Sequence, residues 1–146
     1  MKHAWMVLAL VVGAGRAVAQ DAPEGAPGKK SAAPKRPAAP DVAHMPFTPD
    51  SVREVMQYYS RDIQDCYEEI LATKGSKVEE GKLLTTFVIT PEGTVRNAKV
   101  AKMGTTLRNK RLHECVVNVL LGMTFPVPPD NREYPIEYPF NLKALK

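Results

Sequence analysis

The stretch that most constrains this chain is Gly81–Val100, GlyLysLeuLeuThrThrPheValIleThrProGluGlyThrValArgAsnAlaLysVal. Leu83, Thr85, Phe87 and Ile89 alternate with Leu84, Thr86, Val88 and Thr90. A period of two, rich in β-branched and aromatic residues, is the pattern of a strand. Pro91-Glu92-Gly93 then breaks the run. Proline presets φ for a turn, and glycine takes positive φ without steric cost. The segment therefore predicts an antiparallel hairpin, with its second strand over about 94–102.

A second alternating run closes the chain. Tyr134, Ile136, Tyr138, Phe140 and Leu142 interleave with Pro135, Glu137, Pro139, Asn141 and Lys143. The first set predicts a core face and the second a wet one. Pro135 and Pro139 share a parity, so both missing N–H groups point to the same side of the strand. A paired ladder does not tolerate that loss, so that side is expected to be a free edge. The remaining outward amides belong to Glu137 and Asn141.

Two helices complete the order. Thr48 as N-cap, Pro49 at the first helical position and Asp50 in the first turn are start signals. Val52, Met56, Tyr59, Ile63, Cys66 and Ile70 recur at spacings of three and four, one apolar stripe, with Gly75 as the expected stop. A second helix is expected over 108–121, with Leu112, Cys115, Val116, Val119 and Leu120 buried and Gly122 ending it. Its basic start, Arg108, Lys110 and Arg111, and the acidic residues Asp62, Asp65, Glu68 and Glu69 of the first helix read as solvated faces.

Helix, strand, strand, helix, strand implies an α+β fold. The second helix returns the chain to the far end, so the third strand lies antiparallel beside the first. The expectation is a three-stranded antiparallel sheet in the order 2-1-3 with both helices on one face.

Residues 1–19 read as a secretory signal. Lys2 and His3 precede an uncharged run from Ala4 to Gly15, and Ala17-Val18-Ala19 supplies a small-residue cleavage site, expected between Ala19 and Gln20. That run is too short for a membrane span, so no transmembrane anchor is expected after cleavage. Residues 20–47 read as a disordered linker rich in Ala, Pro and Lys; seven of the thirteen prolines lie between positions 20 and 49. The domain is placed at 48–146. It carries 14 Lys and Arg against 13 Asp and Glu, a balance that argues against a nucleic-acid footprint. Of the three histidines, one lies in the signal, one in the linker and one at His113. No metal spacing, phosphate-cradling loop or nucleophile elbow is present, so no cofactor and no enzymatic activity are expected.

The hairpin resembles the centre of TonB C-terminal domains, whose pattern is Gly, a strand, Pro-Asp/Glu-Gly and a second strand. Cys66-Tyr67-Glu68, Cys115-Val116, Phe125-Pro126-x-Pro128 and Tyr138-Pro139-Phe140 resemble the AgmX/PglI C-terminal domain family more closely. That TonB-like group is typical of myxobacterial envelope and motility proteins. The resemblance covers about residues 50–142. It implies a periplasmic or secreted, non-catalytic domain that binds an envelope protein. TonB domains add a partner strand to a sheet edge. Here Pro135 and Pro139 read as protection of one such edge. The candidate partner edges are therefore marked by Glu137 and Asn141 on the last strand and Arg96 on the second. An alternative is a peptidoglycan- or polysaccharide-binding module, with Lys29, Lys30, Lys35 and Arg36 of the linker meeting the cell wall.

Cys66 and Cys115 each lie on the apolar stripe of a helix. An exported chain meets an oxidising compartment, so a Cys66–Cys115 disulfide is expected. Two free buried thiols are the alternative. A Cys115–His113 catalytic pair is disfavoured, since side chains two residues apart on a helix diverge.

Overall fold

The computed structural model describes residues 36–73 and 79–144. Its elements are α1 (Pro49–Ala72), β1 (Gly81–Ile89), β2 (Val95–Val100), α2 (Lys110–Leu121) and β3 (Tyr134–Leu142). The sheet is antiparallel with the order β2-β1-β3. The expected α+β architecture and strand order are thus borne out.

The hairpin closes as its residues dictate. Gly93 N–H donates to Thr90 O at 2.9 Å, and Thr90 N–H to Thr94 O at 2.8 Å. Gly93 takes φ +78°. A Cβ there would also stand 2.3 Å from Phe125 O, so glycine is required twice over.

β2 is shorter than expected and irregular. Thr86 pairs with Lys99, but Val88 pairs with Arg96, so the register shifts between them. The extra residue is absorbed at Asn97, which takes φ +55°, a region asparagine tolerates better than most residues. The bulge resets the alternation. Val95, Ala98 and Val100 all pack on the core, which a regular strand of period two does not permit.

The core lies between the sheet and both helices. Leu83, Phe87 and Ile89 of β1 and Phe140 and Leu142 of β3 meet Val55, Met56, Ile63, Tyr67 and Ile70 of α1 and Leu112, Val116 and Leu120 of α2. Thr85 is the polar member of that β1 face. It is fully buried, and its hydroxyl donates to Tyr138 O at 2.9 Å. Val52 and Tyr59 are only partly buried, whereas Val55 and Tyr67, absent from the expected stripe, are sealed. The stripe is wider than spacings of three and four from Val52 suggest, because α1 touches both β3 and α2.

Helix ends follow local chemistry. Thr48 accepts from Ser51 N–H at 3.1 Å. α1 stops at Ala72, with Thr73 N–H donating to Ile70 O; Gly75 lies outside the described residues. α2 begins at Lys110 rather than 108. Asn109 is its N-cap, accepting from Leu112 N–H at 3.0 Å, and that cap excludes Arg108 from the helix. Gly122 is the C-cap, as expected.

The compact unit runs Arg36–Lys146, ahead of the boundary expected at 48. Arg36 pairs with Asp62 and stands over the Tyr58 ring at 5.0 Å. Val42 and Phe47 pack on the core. Apolar side chains at 42 and 47 thus hold residues that composition alone assigned to the linker. The signal, its cleavage site and the linker up to Lys35 lie outside the described residues. No described helix is long and apolar enough to cross a membrane.

Candidate functional site

The sheet has two edges, β2 and β3. Backbone bonds show which way each β1 residue points. Thr106 N–H donates to Lys82 O, and Ala101 N–H to Leu84 O, both at 2.8 Å. Lys82 and Leu84 therefore turn toward the β2 side, and the alternate residues Leu83, Thr85, Phe87 and Ile89 toward β3. Their partners there are Phe140, Tyr138, Ile136 and Tyr134. Pro135, Glu137, Pro139 and Asn141 consequently direct their backbone outward. This outer edge presents carbonyls at all four positions and N–H groups at only Glu137 and Asn141.

α1 runs alongside this edge in the same direction as β3. Phe47, just before α1, contacts the Tyr134 ring with centroids 4.6 Å apart. Further along, Gln64 Nε2 donates to Lys143 O at 2.7 Å. Between these ties lies a groove of about 480 Å³, with Phe47, Pro49, Val52, Ile136 and Tyr138 among its walls. Arg53 and Glu137 stand at its rim. Tyr138 also borders a second depression with Arg61, Gln64 and Asn141, so the cleft follows β3 for most of its length.

Arg53 is held by Asp50 at 2.8 Å. Tyr134 donates its hydroxyl to Asp130 at 2.7 Å. That bond holds the Asp130 carboxyl below its usual range and raises Tyr134 above its own. Burial raises the Tyr67 phenol, with Glu80 and Glu68 adding to the shift.

The β2 edge differs. Thr94 forms a bridge with Thr124, and Phe125 N–H donates to Gly93 O at 2.8 Å. Its entry is thus already taken, and Asn97 kinks what remains. Arg96 sits here, but its guanidinium is paired with Glu133.

Cys66 and Cys115 are joined in a disulfide with Cα atoms 5.9 Å apart, tying α1 to α2. His113 faces elsewhere: its Nε2 donates to Leu107 O at 2.6 Å. Arg108 and Arg111 reach no acid of α1, and Lys110 pairs with Glu114 of its own helix at 3.6 Å. Among the described residues no group of three or more His, Cys, Asp or Glu is placed to hold a metal ion.

Glu137 and Asn141 therefore share the β3 cleft, and Arg96 lies on the opposite edge. Sequence reasoning missed Phe47, Val52 and Pro129 as cleft residues. The first two were findable. Phe47 immediately precedes the N-cap and Val52 is the fourth helical residue, the pair that forms a hydrophobic staple.

No family model matches the chain, and no curated protein matches it. Among solved structures, the solution structure of the Helicobacter pylori TonB C-terminal domain is similar, with 18% identity and a TM-score of 0.40. The match covers 70% of this chain and 98% of that one.

Proposed function

We propose that this chain is an exported, non-catalytic adaptor of the cell envelope, TonB-like in kind and with motifs that resemble those of the AgmX/PglI group. The observation that carries the reading is the β3 cleft. It offers a free strand edge beside an aromatic groove, at the one edge that no other segment among the described residues occupies. The partner is a protein that lays an extended segment along β3. It accepts hydrogen bonds from Glu137 and Asn141 and places an apolar side chain against Tyr134, Ile136 and Tyr138. The disulfide supports export, because such bonds persist in oxidising compartments, and the leader at residues 1–19 would deliver the chain there. A cell-wall module has no comparable site in its favour among the described residues.

The test is site-specific photo-crosslinking in the native envelope, with the probe at Glu137, at Asn141 or at Arg96. One protein adduct from the first two positions, absent from the third, is the expected result. Adducts to glycan alone, or a protein adduct from Arg96 only, would remove the β3 reading.

A further inference from the structure

The sheet face opposite the helices collects, at one end, basic side chains that form no ion pair among the described residues. Lys82 of β1 and Lys99 of β2 stand on that face, opposite Asn141 and Thr86 respectively. The loop after β2 returns to the same end. Its Ala101 and Thr106 amides bond the carbonyls of Leu84 and Lys82. Gly104 approaches Leu84 so closely that a Cβ would lie 2.9 Å from Leu84 Cδ2. Lys102 and Met103 occupy the tip of this loop, and Arg108 follows it. Among the described residues, Lys82, Lys99, Lys102 and Arg108 have no ion-pair partner, since every pair formed involves other residues. Glu80 shares a shallow surface depression with Lys82 but forms no ion pair with it, so Lys99 and Lys102 carry the larger part of the uncompensated charge. Glu137 is on the helix-free face but on β3, across β1 from Lys99.

Met103 stands out within this charge. It is 87% exposed, the most exposed large hydrophobic residue described. Gly104, at φ +80°, makes the turn that leaves it there. The corner thus combines an apolar tip with unpaired cations. A soluble anionic polymer would satisfy the charge and leave the methionine in water. An anionic bilayer satisfies both, because lipid phosphates meet the lysines while the thioether enters the headgroup boundary.

We infer that this corner is a peripheral docking surface for an anionic phospholipid bilayer, with Met103 inserted and Lys82, Lys99, Lys102 and Arg108 facing lipid phosphate. Each lysine near such a surface strengthens partitioning roughly fivefold, so the contact is weak and reversible, an orientation device rather than an anchor. It adjoins the Asn141 end of the β3 cleft but does not depend on what that cleft binds.

The test uses the full chain with Trp5→Phe and Met103→Trp, so that the introduced tryptophan is the only one. It is titrated with phosphatidylcholine vesicles containing or lacking phosphatidylglycerol. A blue shift of emission with the anionic vesicles alone is expected. Adding Lys82→Gln, Lys99→Gln and Lys102→Gln should raise the lipid needed roughly a hundredfold. Unchanged thermal melting of the variants shows that folding is intact. The proposal is overturned if the chain floats with vesicles while the reporter keeps the spectrum of a wet tryptophan, since the leader or linker then does the binding. It is equally overturned if the triple variant titrates like its parent, if no vesicle binds, or if soluble polyphosphate gives the same shift.

Discussion

β2 and β3 are both edges of one sheet, yet they are guarded by different means and to different degrees. β2 is short, kinked at Asn97, and met at its entry by Thr124 and Phe125. Its protection is tertiary: it lasts only while the segment after α2 stays docked. β3 is longer and regular, paired with β1 from Tyr134 to Leu142. Its protection is covalent, two N–H groups removed by Pro135 and Pro139, and it survives any movement of the surroundings. The first device blocks all strands. The second blocks none outright; it restricts the edge to a partner that needs few donors and fits the neighbouring groove. An edge guarded by chemistry alone is one that a selected partner can still use.

The largest effect should come from cutting the tie between the helices that flank these edges. Cys66→Ser with Cys115→Ser removes a crosslink between residues 49 apart, worth on the order of 4 kcal/mol in the chain-entropy model. Urea unfolding with and without reductant measures it, and a native chain indifferent to reductant would show that the pairing carries no stability. Gly93→Ala comes next, at about 3 kcal/mol, because strained φ and a clash with Phe125 O act together. It should also loosen the cover of β2, read as faster amide exchange at Val95. If exchange accelerates equally across β3, the two edges are not independently protected.

Asn97→Val should cost about 1–2 kcal/mol, since a β-branched residue resists positive φ; a neutral result would mean that the bulge can straighten. Pro139→Ala restores a donor on the β3 edge, with stability unchanged within about 0.5 kcal/mol. Light scattering should then show concentration-dependent association. A variant that stays monomeric would put the guard in the groove rather than in the proline. The smallest effect is on pH dependence. The Asp130 carboxyl is depressed in the fold by the Tyr134 hydroxyl. Its contribution is therefore present above the unfolded carboxylate range and lost as pH falls through the lower folded value. Tyr134→Phe should lower neutral melting slightly and leave melting at the acid end unchanged, so that the fall in stability between the two is flattened.

The turn at Pro91-Glu92-Gly93, the Thr48 cap, the alternation of the last strand and the strand order were all legible in the chain. Each rests on short-range chemistry: φ limits of Pro and Gly, hydroxyl capping and side-chain period. The proline parity of β3 even located the free edge, because a missing N–H is a property of the residue itself. The bulge at Asn97 was not legible. Asparagine tolerates positive φ but does not demand it, and only the need to bury Val95, Ala98 and Val100 together decides the register. Nor was the cover of β2 legible, since Phe125 meets Gly93 only after α2 has carried the chain back across the sheet. The cleft lies between these cases. Its strand wall could be read from residues 134–142. Its other wall, Phe47 to Arg53, became a wall only because α1 packs along β3, and long-range packing leaves little trace in local sequence.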